Sequence, residues 1–209
     1  MARPLPTFHE EQFLWAQGYS QVAGIDEVGR GAFAGPVVTA AVIFPKNYVF
    51  KDTELHQIND SKLLSSKKRE SLALKIKEEA LCYSITEIPV SYINNYGIGK
   101  AAQLGFYKSV KSLCHKADFY LIDAFYISRL HKKLQKPLIH GDQLSISIAA
   151  ASIIAKVYRD ALMTKLHDSA ANYDFATNKG YGTAFHRAQI AKFGLSPYHR
   201  TSFNMSSCL

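Results

Sequence analysis

The chain reads GIDEVGRGAFAGPVV from position 24 to position 38, where one apolar run ends in two acidic residues and a second begins after a glycine-rich turn. The runs at 21–28 and 36–44 are short, rich in β-branched residues and bordered by Gly or Pro, which is typical of buried strands. The first run ends with Asp26 and Glu27. This stretch therefore predicts two strands of one sheet with a charged site at their junction.

The acidic pair needs a compensating partner, because a buried charge must be paired or bound to a metal. Hard divalent cations bind carboxylate oxygen, and Mg²⁺ shares its ligand shell with water and phosphate. Successive strand residues point to opposite faces, so Asp26 and Glu27 can share a site only if the strand breaks there, and Gly29 and Gly31 favour a break. Glycines also let a substrate backbone approach, and Arg30 suits phosphate. We therefore hypothesise a site that cuts or joins phosphodiesters.

Apolar periodicity and capping residues predict the remaining elements. Helices are predicted at 65–77, 97–113, 145–166 and 183–193, strands at 81–90, 118–123 and 137–140, and polar loops at 45–61 and 167–182. Strands first, followed by alternating helices and strands, favour an α/β sheet flanked by helices.

Length and charge limit the class of protein. With 209 residues the chain is most simply one domain, residues 1–209, and its 47% hydrophobic content is ordinary for a globular protein. The net charge of +8 favours an anionic partner, most commonly nucleic acid, although solubility alone explains it equally well.

The cysteines and the N-terminus bear on the compartment. Cys82, Cys114 and Cys208 are widely spaced and form no C-x-x-C pair, which favours a reducing compartment and argues against zinc. Residues 1–12 lack the apolar core of a signal peptide, and the longest apolar run, at 37–44, is too short to cross a bilayer. We expect a cytoplasmic protein that does not enter a membrane.

Two further acidic residues stand at the ends of predicted elements. Asp123 ends the fourth strand and Asp142 precedes the long helix, and sites in open α/β sheets gather at such ends. Taken singly, Asp142 fits an ordinary helix N-cap and Asp123 an ordinary turn residue. Together with Asp26 and Glu27 they form a set that would repel without cations, so the four predict a metal site.

Metal chemistry would make a protein nucleophile unnecessary. Two cations about 3.5–4 Å apart can bind both the attacking and the leaving oxygen of a phosphoryl displacement. The sequence contains no G-x-S-x-G and no H-E-x-x-H motif, and GIGK at 97–100 lacks the Walker pattern and fits a turn that opens a helix.

Several motifs in order, covering residues 21–203, resemble the bacterial ribonuclease HII family, the type 2 ribonucleases H. The matching segments are DEVGRG at 26–31, DSKLL at 60–64, LID at 121–123, GD at 141–142, SIAAASIIAKVYRD at 147–160, KGYGT at 179–183 and HRTSF at 199–203. Related type 3 enzymes usually carry another residue in place of Arg30 and an additional N-terminal domain.

The resemblance implies a ribonuclease H-like mixed five-stranded sheet flanked by helices. Residues 20–166 would form the catalytic core, and residues 167–209 a small helical C-terminal extension that closes over the substrate site. It also implies two Mg²⁺ or Mn²⁺ ions and four catalytic, metal-binding carboxylates: Asp26, Glu27, Asp123 and Asp142.

The resemblance further implies residues that bind the substrate. The backbone of Gly29, Arg30 and Gly31 would sense the ribose 2′-hydroxyl, and Ser61 and Lys62 would contact the phosphate backbone.

Tyr181 would stack on the sugar beside the ribonucleotide, whereas on its own it fits an ordinary core or surface ring. Two positions depart from the family pattern: Ala124 stands where many relatives have glycine, and Asn178 where a histidine is frequent.

By resemblance the chain is an endoribonuclease that acts on the RNA strand of RNA·DNA hybrids. It would also cut 5′ of ribonucleotides embedded in duplex DNA, leaving a 3′-hydroxyl and a 5′-phosphate, as a monomer serving DNA replication and repair. Residues 204–209 show no clamp-binding peptide. The alternatives are a DNA-only nuclease or strand transferase of the same fold, and a non-catalytic hybrid-binding protein, against which the four retained acids argue.

Overall fold

The two apolar runs form the centre of a sheet. In the computed structural model, which describes residues 5–50 and 53–205, they are strands β1 (Val22–Val28) and β2 (Val37–Ile43), paired antiparallel. Every residue of β2 is buried, and so is every residue of β1 except the half-buried Glu27. Continuous apolar runs are expected of strands that are covered on both faces.

Three more strands complete a mixed sheet. β3 (Cys82–Ile88) pairs antiparallel with β2, whereas β4 (Phe119–Asp123) and β5 (Gln135–Leu138) continue the other side in parallel. The strand order is β3-β2-β1-β4-β5. The predicted five-stranded sheet is confirmed. The last strand lies two residues earlier than predicted, because Pro137, which suggested its start, is tolerated inside an edge strand.

Helices cover both faces. α2 (Ser66–Glu79) and α5 (Ile146–His167) lie on one face, and α4 (Ile98–Lys111) covers the other. Ser65 and Ser145 cap α2 and α5 through their side-chain oxygens. α5 lies so close to β1 that a Cβ at Gly24 would come within 2.1 Å of the Ser147 backbone carbon.

Three helices were not predicted from the sequence. α1 (His9–Ala16) buries Glu11, which accepts hydrogen bonds from the Ser145 hydroxyl and the Ser147 N–H, so its buried face does not look apolar. α3 (Val90–Tyr96) follows Pro89 directly and continues the apolar run of β3. The predicted polar loop at 167–182 is wrong in part, since it contains α6 (Phe175–Asn178) and buries aromatic rings.

Two buried arginines join the C-terminal part to the glycine-rich turn. The guanidinium of Arg159 on α5 donates hydrogen bonds to the carbonyls of Ala34, Pro36 and Lys179. Arg200, beyond α7 (Ala184–Phe193), donates to the carbonyls of Arg30, Gly35 and Pro36. Backbone carbonyls alone satisfy both side chains, so the arginines fix the path of the turn.

The cysteines depart from expectation. Cys82 and Cys114 form a disulfide, with Cα atoms 6.0 Å apart, so wide spacing in sequence did not indicate separation in space. The spacing of the cysteines therefore no longer supports a reducing compartment. The third cysteine, Cys208, lies outside the described residues. In the described part of the chain, no helix is long and apolar enough to cross a membrane.

Candidate active site

The site forms where the central parallel strands separate. The pairing of β1 with β4 ends at Ile25 and Ile122, and the next residues are Asp26 and Asp123. β1 stays paired with β2 through Val28, so the predicted break of the strand at the acidic pair is wrong, and Asp26 and Glu27 interact without such a break. It is β4 that ends here, which opens the sheet beside the pair.

The end of β4 is shaped by two backbone features. Ala124 has a φ of 61°, in the left-handed region that glycine adopts without strain, which agrees with the glycine that the resemblance led us to expect here. Asp123 Oδ1 accepts a hydrogen bond from the Gly141 N–H at 2.8 Å. Asp123 is thereby held against the turn that carries Asp142.

Asp142 is buried in a short 3₁₀ turn, Gly141–Gln143, ahead of α5. The alternative that Asp142 is the helix N-cap is wrong, because Ser145 caps α5. Burial, followed by the nearby carboxylates of Asp60 and Asp123, raises the pKa of Asp142. A buried acid without a capping role is a candidate functional group.

The remaining carboxylates share the same unfavourable environment. Burial, Glu27 and Asp123 together raise the pKa of Asp26 well above its usual value. Burial raises the pKa of Glu27 to about 7, although Arg30 opposes the shift with its Nη1 3.7 Å from Glu27 Oε1. Glu27 Oε2 is buried and has no hydrogen-bond partner. The nearby cations Arg30 and Lys62 therefore do not cancel the raised pKa values of these carboxylates.

A cleft of about 590 Å³ collects eight of the ten predicted site residues. Those residues are Glu27, Gly29, Arg30, Gly31, Ser61, Lys62, Asp123 and Tyr181. The other two, Asp26 and Asp142, are buried and interact electrostatically with Asp123. Across the described residues, no three acidic, histidine or cysteine side chains converge as a ready-made site for one ion.

The two glycines of the turn differ in what the fold requires of them. Gly29 has a φ of 90°, and a Cβ there would lie 2.1 Å from Arg159 Nε. Gly31 is exposed in the cleft, and a Cβ there would meet no atom of the chain within 4 Å. Folding therefore demands glycine at position 29, whereas position 31 leaves room for a ligand.

Ser61 and Lys62 occupy different environments at the rim. The Ser61 hydroxyl is buried and shares a 3.0 Å hydrogen bond with Ser152, which in turn hydrogen-bonds Asp26. Burial alone would lower the pKa of Lys62, but four carboxylates, with Asp60 acting most strongly, raise it overall. Lys62 is therefore a cation held toward the acids.

Tyr181 lines the cleft and is half-buried. Its ring lies 5.4 Å from the Arg159 guanidinium carbon and 5.7 Å from Lys156 Nζ. The backbone N–H of Tyr181 donates to the carbonyl of Asn178, whose side chain accepts from the Gly180 N–H and donates to the Tyr173 carbonyl. Asn178, the second departure from the family pattern, builds the turn that presents Tyr181.

Sequence reasoning missed four polar residues here: Asp60, Arg69, Ser152 and Lys156. Arg69 and Lys156 line the cleft and both lie beside Asp160, at 3.7 and 2.7 Å. Ser152 and Lys156 are four residues apart on α5 and so lie on the same face of the helix. A polar pair on one face of an apolar helix could have indicated a site in the sequence. Asp60 begins the DSKLL motif, but its electrostatic interaction with Asp142 depends on the fold of its loop.

A mixed five-stranded sheet of this order defines a ribonuclease H-like protein. The acids where its central parallel strands stop pairing are typical of a nuclease active site. The model of the Ribonuclease HII family matches residues 23–206. The chain is 46% identical over 188 residues to the ribonuclease HII of Ruminiclostridium cellulolyticum, covering 90% of this chain and 71% of that protein. The chain therefore belongs to the ribonuclease HII family.

Solved structures agree on the fold. The ribonuclease H2 of Pyrococcus horikoshii OT3 superimposes with a TM-score of 0.72 at 23% identity, covering 90% of this chain and 95% of that chain. The Bst-RNase HIII structure in complex with Mn²⁺ also gives a TM-score of 0.72, at 20% identity, covering 91% of this chain and 69% of that one. At these identities the likeness concerns the fold alone.

Proposed function

We propose that the chain is an endoribonuclease that hydrolyses the RNA strand of RNA·DNA hybrids and cuts 5′ of ribonucleotides embedded in duplex DNA. The products would carry a 3′-hydroxyl and a 5′-phosphate. Membership of the ribonuclease HII family supports the reaction class. The observation that carries the proposal is a single cleft in which Glu27 and Asp123 stand with the open Gly31 and the ring of Tyr181.

The residues fit divalent metal ions. The buried Glu27 Oε2 has no partner, and burial, followed by repulsion from Glu27 and Asp123, raises the pKa of Asp26, so a cation would relieve both defects. Oxygen donors suit Mg²⁺ or Mn²⁺, and Asp26, Glu27, Asp123 and Asp142 would hold two such ions. When bound, the ions would supply a reactive water and stabilise charge on the phosphate. Incomplete convergence of the acids is compatible with Mg²⁺, which keeps water and substrate phosphate as ligands.

The other cleft residues would position the substrate. The backbone of Gly29, Arg30 and Gly31 lines the cleft, and the exposed Gly31 leaves room for a ribose, whose 2′-hydroxyl distinguishes RNA from DNA. The Tyr181 ring would pack on the neighbouring sugar. Lys62, at the rim, would pair with a phosphate of the substrate. The Ser61 hydroxyl would support Asp26 through Ser152, so Ser61 would contact a substrate phosphate through its own main-chain atoms.

The proposal extends to context. We also propose that the protein is a monomer, folded as one domain, in which residues 167–209 close over the substrate. Its role would be in DNA replication and repair in the cytoplasm. The positive net charge supports a nucleic-acid partner. The expectation that residues 204–209 bind no sliding clamp falls largely on residues 206–209, which lie outside the described residues.

Cleavage of a labelled DNA duplex carrying one internal ribonucleotide tests the proposal. We expect cutting 5′ of the ribonucleotide with Mg²⁺ or Mn²⁺ and none with chelator. An all-DNA duplex is the matched control, and cutting of that control would instead identify a DNA nuclease. Tight hybrid binding without any cutting would identify a binding protein.

A further inference from the structure

A buried pair of histidines stands behind Tyr181. His186, on α7, and His199, before Arg200, are almost completely inaccessible to solvent, and their Nε2 atoms lie 3.0 Å apart. Rings of Tyr173 and Phe175 surround both imidazoles, with Tyr173 4.7 Å from His199. Neither histidine lines the cleft described above. Buried polar groups in an aromatic environment require hydrogen-bond partners, which identify their role.

The partners assign the proton of each ring. The backbone N–H of Ser196 can only donate, and it lies 2.9 Å from His199 Nδ1, so that nitrogen is an acceptor. The carbonyl of Tyr181 can only accept, and it lies 2.9 Å from His186 Nδ1, so that nitrogen carries a proton. In the neutral state His199 then carries its proton on Nε2 and donates it to His186 Nε2. Burial lowers the pKa of both imidazoles, that of His199 to about 4, so both are neutral near neutral pH.

The result is one directed chain of hydrogen bonds from Ser196 through His199 and His186 to the backbone of Tyr181. We propose that His186 and His199 are positioning residues that hold the Tyr181 ring in the cleft and so determine cleavage at an embedded ribonucleotide. The inference rests on the proposed function, because it assigns the histidines a part in that reaction. The chain of hydrogen bonds connects the turn at Tyr181, helix α7 and the loop at 196–199, so each link restricts the same backbone turn.

A matched pair of variants tests the link to Tyr181. An asparagine amide nitrogen takes roughly the place of Nδ1, so His186→Asn keeps a donor for the Tyr181 carbonyl, whereas His186→Gln places its amide near Nε2 and loses that donor. We expect His186→Gln to reduce cleavage at a single ribonucleotide about tenfold, and His186→Asn, which keeps the donor to Tyr181 and loses the bond to His199, to lose clearly less. Circular dichroism and thermal melting check that both variants fold.

A double-mutant cycle separates positioning from general structure. In a Tyr181→Ala chain, His186→Gln should change the residual cleavage by no more than about twofold, because the ring that it positions is gone. Equal losses with and without Tyr181 would overturn the inference. So would undiminished cleavage by His186→Gln. Absence of cleavage by the unmodified chain would instead overturn the proposed function.

Nitrogen-15 NMR of the histidine rings gives a readout that needs no activity. Near neutral pH we expect opposite tautomers, with the proton on Nδ1 of His186 and on Nε2 of His199. The same tautomer at both residues, or a protonated imidazole, would break the chain and overturn the inference even if no variant could be assayed.

Discussion

Asp123, the last residue of β4, accepts a hydrogen bond from the backbone N–H of Gly141 at 2.8 Å, and Asp142 follows directly in the chain. One bond thus joins the end of a central strand to the turn that carries another acid. Asp123 is also the one carboxylate that raises the pKa of each of Asp26, Glu27 and Asp142. It is the common neighbour through which the acids form a single electrostatic unit.

Replacing Asp26 separates catalysis from stability. We expect Asp26→Asn to abolish cleavage while leaving hybrid binding largely intact, because a ligand oxygen is lost but the cleft is not. In chelator the variant should be more stable by about 1–2 kcal/mol, since one of several repelling, buried carboxylates is neutralised. Cleavage, fluorescence anisotropy and urea unfolding measure the three effects. Asp168→Asn, at the exposed end of α5, is the control, and full activity of Asp26→Asn would contradict the assignment.

The two glycines of the turn should respond oppositely to a methyl group. Gly31→Ala is expected to fold with unfolding free energy within about 0.5 kcal/mol of the parent, because its Cβ meets open space, and to lose cleavage because the substrate is held away. Gly29→Ala should lose more than about 2 kcal/mol of stability, because of its positive φ and the overlap with Arg159. Urea unfolding of both variants measures the two stabilities, and a cleavage assay measures the two activities. An active Gly31→Ala would remove the argument for close approach.

The strained alanine after Asp123 offers a stability test. Ala124 has a φ of 61°, so Ala124→Gly should raise the unfolding free energy by about 1 kcal/mol. Ala161, exposed within α5, is the matched control, since glycine there should lower stability by about 0.5–1 kcal/mol. Thermal melting of the two variants should therefore shift in opposite directions. A destabilised Ala124→Gly would show that the turn depends on the methyl group.

The buried histidine pair predicts acid sensitivity. The pKa of His199 is about 4 in the folded chain, because of burial and then the neighbouring His186, against about 6.5 when unfolded. The unfolded state therefore binds the extra proton, so stability is complete above about pH 6.5 and falls as the pH drops toward 4. From about pH 7 to about pH 5 the contribution lost is about 2 kcal/mol.

Comparison with a variant isolates that contribution. His199→Gln lacks the titrating ring and keeps an amide near Nε2, so its unfolding free energy should fall less over the same pH interval. Urea unfolding of both chains at the two pH values gives the difference. Equal pH dependence would mean that other groups, not His199, control acid stability.

Local sequence determined much of the fold and most of the candidate site. The apolar runs around GIDEVGRG predicted β1 and β2, because strands covered on both faces are apolar along most of their length. Ser65 and Ser145 marked the starts of α2 and α5 through short-range hydrogen bonds. The acids Asp26 and Asp123 were recognisable because charge at a strand end is costly without a partner.

Tertiary structure alone decided how these pieces meet. Arg159 reaches the carbonyl of Pro36, 123 residues earlier in the chain, and Cys82 finds Cys114 across 32 residues. The uninterrupted pairing of β1 with β2 at the acidic pair, the burial of Glu11 in α1 and the contact of Asp60 with the acids depend on such distant partners. A local pattern records the preferences of neighbouring residues, whereas these features follow from packing and hydrogen bonds that exist only after the chain has closed upon itself.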